Sequence, residues 1–251
     1  MQKRGQATTL IVVGILIIII LAIFTYYSRI LARAPAVKEE LAIPQTVEQI
    51  KSLIKECLDD SVSYSTYLVV SHGGSLKIQN SMEVPELGRI QVGYNKASSL
   101  AALPSQNTIS NEISSSIASE VETCSDLRSN FPGLISQINP PIVSTIVQEG
   151  LIKVTLQYPI IAKKGITETR ILDTYESQLN VNIPKLLKVG NDLLDTIKKD
   201  PDYLDLYFIS NAPVSITFLP LEENKAVFIL TDEDFLIKGI PLSLVFGSVY
   251  K

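Results

Sequence analysis

Residues 151–160 read LIKVTLQYPI, and this stretch sets the fold class. Hydrophobic side chains alternate with polar ones from Ile152 to Ile160, which is the period of a strand with one buried face. Residues 163–165 read KKG and are predicted to turn the chain, so that residues 166–175 return as the hairpin partner. The hairpin predicts an antiparallel sheet in the C-terminal half.

On the C-terminal side of this hairpin we expect a helix and then a meander of strands. The helix begins near Pro184, since proline suits the first helical turn, and it ends at Asp200-Pro201. A turn at residues 222–225 separates the second candidate strand from the third. The four candidate strands are 205–209, 214–219, 226–231 and 236–249. Residues 136–251 are therefore predicted to be an α+β region with an antiparallel sheet.

On the N-terminal side of the hairpin, residues 46–135 are predicted to be mainly helical. The first helix begins at Thr46 in a T-x-x-Q capping box and ends at the HGG sequence of residues 72–74. The second covers about residues 108–127. In each helix apolar residues recur every three or four positions. They are Val47, Ile50, Ile54, Cys57, Leu58 and Val62, and then Ile109, Ile113, Ile117, Val121, Cys124 and Leu127.

Residues 75–107 join the two helices and contain only short β-like pieces, at 76–78 and 89–93. Taken together, the patterns predict an α+β fold in which helices pack on an antiparallel sheet.

A run of large aliphatic residues lies near the N-terminus. Leu10 to Phe24 read LIVVGILIIIILAIF, and no charged residue lies between Gly5 and Ser28. This uncharged run covers roughly 36 Å as a helix, against about 30 Å of bilayer hydrocarbon. Residues 1–31 are therefore predicted to be a signal-like segment with a transmembrane helix, and residues 32–45 a linker. The lipid bilayer is the first predicted partner.

Two other interpretations of this run stay open. A secretory signal peptide is one, because Ala32-Arg33-Ala34 matches an A-x-A cleavage site, although the apolar run is long and Pro35 would begin the mature chain. A fully buried core helix is the other. The flanking charges give little orientation bias.

The residues before the run, Lys3-Arg4-Gly5-Gln6, form a basic pair and a glycine. This pattern resembles the class III signal of type IV pilin-like proteins, especially archaeal ones, over about the first 27 residues. The resemblance implies cleavage between Gly5 and Gln6 by a class III signal peptidase, with the helix retained as an anchor or filament core. Further copies or other pilin-like subunits would then be partners. Leu10 stands where many pilins have glutamate.

The chain has two cysteines, Cys57 and Cys124, each on the apolar side of a predicted helix. An even number outside the cytoplasm permits a disulfide, which would close a loop of nearly seventy residues and contribute about 4 kcal/mol. Two buried free thiols are the alternative. Neither cysteine has metal-ligand spacing to the single histidine.

No motif predicts catalysis, a cofactor or a metal centre. The chain has no G-x-S-x-G, Walker or G-x-G-x-x-G sequence. His72 is predicted to have a capping or loop role. Residues 232–234, DED, are predicted to be a turn between strands, and Asp59-Asp60 a solvated helix face. Calcium binding is the functional alternative for both.

The net charge of −4 and the lack of a basic, aromatic patch argue against nucleic-acid binding. The sequence favours a non-enzymatic, exported, single-pass membrane protein whose C-terminal domain lies outside the cytoplasm. Its role would be cell-surface structure, adhesion or assembly. The alternative is a bitopic membrane protein whose external domain binds a ligand or scaffolds a complex.

Overall fold

The computed structural model describes residues 45–76, 81–84, 88–96, 100–200, 205–221 and 224–250. Over these ranges the chain has an α+β fold with helices packed on antiparallel-rich sheets. Contacts divide the chain into a unit from Met1 to Ile50 and a larger one from Lys51 to Lys251. No helix in the described ranges has the length and hydropathy that crossing a membrane requires. The predicted transmembrane helix, residues 1–31, lies outside these ranges.

Helices and strands alternate in groups along the chain. The first described helix, α1, covers residues 45–71. The other helices are α2 (Gln106–Ser125), α3 (Leu127–Asn130), α4 (Ile183–Lys199) and α5 (Leu206–Asn211). The first six strands are β1 (Ser81–Val84), β2 (Gly88–Asn95), β3 (Leu100–Ala101), β4 (Ile135–Ile138), β5 (Ile142–Gln148) and β6 (Leu151–Gln157). The remaining six are β7 (Ile160–Lys164), β8 (Thr167–Ile171), β9 (Thr174–Leu179), β10 (Ser215–Leu221), β11 (Lys225–Ile237) and β12 (Ile240–Val249).

The described strands form three sheets. The largest has the order β1-β2-β12-β11-β10, with β3 paired to β2. Two three-stranded sheets have the orders β4-β7-β8 and β5-β6-β9. Every pairing among the described strands is antiparallel except the parallel pairing of β12 with β2.

The predicted hairpin is confirmed, and it is shared between the two small sheets. Leu156 pairs with Tyr175 in one sheet, and Ile160 pairs with Ile171 in the other. Between the two sheets the outgoing strand is interrupted at Tyr158-Pro159, where proline has no N–H to donate to a ladder. The hairpin turns at Gly165, whose φ of +61° glycine adopts without strain.

The C-terminal meander is confirmed for β10, β11 and β12, but the predicted strand at residues 205–209 is wrong. This stretch begins the short helix α5. The Asp205 side chain accepts a 2.9 Å hydrogen bond from the Phe208 backbone N–H and so caps the first turn. Leu206 and Tyr207 are exposed, so the apolar residues that suggested a strand have no sheet face to bury.

Strands β1 and β2 were not predicted as members of the large sheet. The piece predicted at 89–93 lies within β2, which pairs with β12 from the far end of the chain. Gly93 allows close packing there, because a Cβ atom at this position would lie 2.8 Å from Phe246 Cδ2. The large sheet thus joins strands from both sides of residue 135. The boundary predicted there, between a mainly helical region and an α+β region, stays a prediction.

The helix α4 packs on β2, β11 and β12 of the large sheet. It begins at Ile183, where the Asn182 side chain accepts from the Lys185 backbone N–H, and Pro184 lies in its first turn as predicted. Opposite it, the rings of Phe228 and Phe246 stack with centroids 5.5 Å apart. Full burial of such side chains contributes about 1.5–3 kcal/mol each.

The helix α2 covers the edge strand β5. Side chains of α2 bond to this strand: Gln106 donates to the Val147 carbonyl over 2.7 Å, and Ser110 donates to the Thr145 carbonyl. Ser114 donates to the Thr145 hydroxyl. An uncovered edge presents free backbone groups to other strands, so α2 removes part of this edge from solvent.

Candidate functional site

The two cysteines form a bonded pair between helices α1 and α2. Cys57 and Cys124 lie with their sulfur atoms at disulfide distance and their Cα atoms 5.8 Å apart. Disulfides span this Cα separation without backbone movement. The structure therefore brings the predicted partners together. Cys57 is buried, whereas Cys124 is exposed, so the prediction of two apolar-face positions is wrong for Cys124.

The opposite ends of the two helices are also joined. The Leu76 N–H just beyond α1 donates to Glu112 Oε2 of α2 over 3.3 Å. A Cβ atom at Gly74 would lie 2.8 Å from Ile109 Cδ1, near the start of α2. Because the disulfide lies near the other end of α2, the two helices run antiparallel.

His72 has the local role that was predicted. Its Nδ1 lies 2.7 Å from the Leu68 carbonyl oxygen, which can only accept, so Nδ1 carries the proton in this contact. The next residue, Gly73, has a φ of +80° and ends α1.

Asp59 and Asp60 are exposed carboxylates of α1, but each has partners in other elements. Asp59 accepts from the Ser177 hydroxyl of β9 over 2.6 Å. Asp60 pairs with Lys238 over 2.7 Å, at the turn between β11 and β12. The predicted solvated face is therefore also a set of contacts that holds α1 against β9 and this turn.

Residues 232–234 do not form the predicted turn. They lie inside β11, and the turn follows at Lys238-Gly239. Asp232 pairs with Leu242 of β12, but the next pair is Leu236 with Pro241. Residues 233–235 therefore form a bulge with no opposing residue on β12. Bulges of this kind re-aim side chains and are frequent near functional sites.

Asp232 at the start of this bulge forms a buried ion pair with Lys185 of α4. The Asp232 side chain is only 1% exposed, and its Oδ1 accepts from Lys185 Nζ over 2.9 Å. Asp234 Oδ2 lies 3.3 Å from the same ammonium and is 80% exposed. The hydrogen bond to Asp232 raises the pKa of Lys185 above its ordinary value, and Asp234 adds to the rise while partial burial opposes it. Lys185 therefore stays charged across the physiological range.

The second oxygen of Asp232 is left without a hydrogen bond. Within the described ranges, buried Oδ2 has no donor in reach. An ionised carboxylate oxygen held away from both water and donors costs several kcal/mol relative to a bonded one. The ion pair therefore leaves one buried acceptor of Asp232 unsatisfied in the described structure.

A cavity of about 520 Å³ adjoins the bulge, and we call it the bulge cleft. Its acidic wall contains Asp232, Glu233 and Asp234. The rest of the lining comes from the end of α5, the start of β10 and Thr231 of β11. Its remaining lining residues are Ile209, Ser210, Ala212, Pro213, Val214, Ser215, Ile216 and Thr231. Pro213 separates the bulge cleft from a second cavity of about 480 Å³, which Lys185, Lys188 and Phe208 also line.

A third cavity, of about 330 Å³, adjoins Tyr158 at the break in the long hairpin. Burial raises the pKa of Tyr158 above its ordinary value, the Ser125 hydroxyl offsets part of the rise, and Glu122 adds to it. Arg128 also lines this cavity. Packing around Tyr158 is enough to explain why its phenol stays neutral.

Metal binding gains no geometric support in the part of the chain that is described. There, no three His, Cys, Asp or Glu side chains are grouped as a metal site requires. The predicted processing residues, Gly5 and Gln6, lie outside the described residues.

The bulge cleft could have been recognised only in part from the sequence. Phe228, Leu230 and Asp232 alternate along β11, so Asp232 occupies a position where the period requires a buried apolar residue. That signal identifies one unusual aspartate. The lysine partner comes from α4, and the spacing along the chain does not reveal it.

Comparison with known proteins found nothing similar. No protein-family model matches the chain, and neither a curated protein nor a solved structure does.

Proposed function

We propose that this is an exported, membrane-anchored cell-surface protein with a non-enzymatic role in surface structure, adhesion or assembly. The observation that carries the proposal is the uncharged run from Gly5 to Ser28, preceded by Lys3-Arg4. A helix of this length and hydropathy crosses a bilayer. The bulk of the chain lies outside the cytoplasm in this proposal.

The cysteine pair supports the proposed compartment. Disulfides persist in oxidising, extracytoplasmic surroundings and are rare in the cytosol. Cys57 and Cys124 lie at disulfide distance, and Cys124 is exposed to solvent and its reductants. A bond of this kind is retained best outside the cytoplasm.

The residues around Gly5 support a pilin-like N-terminus as part of the same proposal. A class III signal peptidase would cut between Gly5 and Gln6, and the retained helix would hold the protein in the bilayer. Residues 6–27 would then pack against the same helix of other copies or of other pilin-like subunits.

Replacement of Ile18 by arginine tests the anchor and the assembly together. A charge at the centre of an apolar membrane helix costs about 2.5–3.5 kcal/mol or more. We expect I18R to abolish assembly into sheared surface filaments and to lower the membrane-bound fraction, as immunoblots of the fractions would show. Ile18→Leu is the matched control and keeps both. Intact filaments and full membrane retention in I18R would contradict the proposal.

The second candidate function is ligand binding by the external domain of a bitopic membrane protein. The bulge cleft favours it, because the exposed carboxylates of Glu233 and Asp234 line a cavity of about 520 Å³. A protein that stays in the membrane at its full level but forms no filaments would fit this second function.

A further inference from the structure

We propose that the outer edge of β10 pairs with the same edge of a second copy of this chain. The two strands run antiparallel across a two-fold axis and join the two large sheets into one. This edge belongs to the large sheet, so the pairing is independent of the membrane anchor.

The strand β10 is an open and unprotected edge of the large sheet. It pairs with β11 on one side and with no described strand on the other. Its seven residues, SITFLPL, carry no charge. Leu219 in this strand is 39% exposed. Edge strands of this length are normally protected by charged side chains or by a covering element, because an open edge pairs with other strands.

The other five edges of the described sheets have such protection. The strands β1 and β4 have only four residues each. The strand β8 contains Glu168 and Arg170, and α2 covers β5. The strand β9 contains Glu176, and its Ser177 donates to Asp59 of α1. The open edge of β10 is therefore an exception in this fold and indicates a strand with a pairing partner.

The backbone bonds at the end of β12 show which residues face which neighbour. The Val249 carbonyl accepts from the Lys96 N–H on the β2 side. The Tyr250 N–H donates to the Asn224 carbonyl on the β11 side. In an antiparallel ladder the backbone groups of successive residues point to opposite neighbours. The even-numbered residues of β12 therefore face β11.

The same alternation continues to β10, because the register of β11 is regular on both sides over the length of β10. Thr217 and Leu219 consequently bond to β11, and the N–H and C=O groups of Ile216 and Phe218 face outward. Pro220 also faces outward, where its missing N–H interrupts no bond to β11. The described residues offer the outward groups of Ile216 and Phe218 no backbone partner.

A second copy of β10 satisfies these groups when Thr217 lies opposite its own counterpart. Ile216 of each copy then lies opposite Phe218 of the other, and the two residues exchange both N–H···O=C bonds. All four outward N–H groups of the two strands are bonded, and Pro220 need not donate. Aromatic residues opposite β-branched ones stabilise a strand pair, and like charges destabilise it. Because β10 has no charge, two identical strands meet without repulsion.

Cross-linking of Thr217→Cys in the full chain, kept in native membranes, tests the pairing. Opposite residues that exchange no backbone bonds have Cβ atoms about 4.5–5.5 Å apart, close to the disulfide distance. Cys57 and Cys124 are already paired with each other. We expect mild oxidation to give a species of twice the chain mass on a non-reducing gel.

The matched control is Thr167→Cys, which replaces an exposed threonine of the protected edge strand β8. We expect it to remain monomeric on the same gel. Equal cross-linking of the control and Thr217→Cys would overturn the proposal. Absence of a dimer from Thr217→Cys, or a cross-link to a different protein in its place, would also overturn it.

Two charge variants of the Thr217→Cys chain test the two-fold register, in which Ser215 lies opposite Leu219 of the other copy. Ser215→Lys with Leu219→Lys places like charges opposite each other, whereas Ser215→Lys with Leu219→Glu places opposite charges there. Both variants replace the same two exposed side chains. We expect cross-linking to be about fivefold slower with the two lysines. Equal rates in the two variants would contradict the two-fold pairing.

Discussion

At the residue scale, the least expected feature is a charged pair within the core between α4 and the large sheet. Asp232 follows Phe228 and Leu230 on the face of β11 that packs against α4, yet it is an acid. Lys185 compensates it from the first turn of α4, and its own backbone N–H is held by Asn182. The position of Lys185 is therefore set by the cap of the helix as well as by the ion pair.

We predict that Lys185→Met destabilises the protein by about 3 kcal/mol at pH 7, the lower end of the cost of breaking a buried pair. The lower end applies because the Lys185 side chain is 22% exposed. Urea unfolding of the full chain in detergent micelles, followed by circular dichroism, measures the difference. Lys188→Met is the control, since Lys188 lies one turn further along α4 and is exposed. An equal loss in the control would count against the buried pair.

The stability that Lys185 contributes should also depend on pH in the alkaline range. Because the folded-state pKa of Lys185 is raised, its contribution is fully present below the ordinary lysine value of 10.5 and is lost as the pH rises through the higher folded value. The stability difference between wild type and Lys185→Met should therefore shrink above about pH 10.5. A difference that stays constant to pH 11.5 would contradict the assigned cause of the shift.

At the element scale, the antiparallel helices α1 and α2 are joined to each other and also contact the sheet β5-β6-β9. The disulfide joins the pair at one end, and the contacts of Leu76 and Gly74 join it at the other. The helix α2 then covers β5, and Asp59 of α1 bonds to β9. Both edges of the sheet β5-β6-β9 thus carry contacts with this helix pair.

We predict that the loss of the disulfide costs about 4 kcal/mol, because it links residues 67 positions apart. Cys57→Ala, Cys124→Ala and the double variant should lose nearly the same free energy, since removing either sulfur ends the bond. Urea unfolding of the three variants measures this, and reduced wild type is the control. Single losses that add up in the double variant would show that the two residues act independently.

At the scale of the whole molecule, local periodicity predicted the elements better than their partners. The period of two at Ile152–Ile160, the apolar steps in α2 and the proline at the start of α4 all correspond to observed elements. The parallel pairing of β2 with β12 joins residues about 155 positions apart, and no local pattern encodes it. The predicted β-like piece at residues 89–93 includes Gly93, but the close packing of this glycine against Phe246 is visible only in the fold.

The candidate cleft was harder to predict for the same reason. The acidic run at residues 232–234 has the composition of a turn, and turns are where such residues are most common. Here a strand bulge holds them, and the bulge is defined by the register with β12. Both the register and the lysine from α4 depend on tertiary packing, which single-sequence patterns do not contain.

We propose that residues 10–24 remain on the mature protein as its membrane anchor. Mass spectrometry of the mature N-terminus, on protein purified from native membranes, tests it most directly. We expect a chain that starts at Gln6, after cleavage behind Gly5. A chain that starts at Pro35 would contradict it, because the protein would then be released without its anchor.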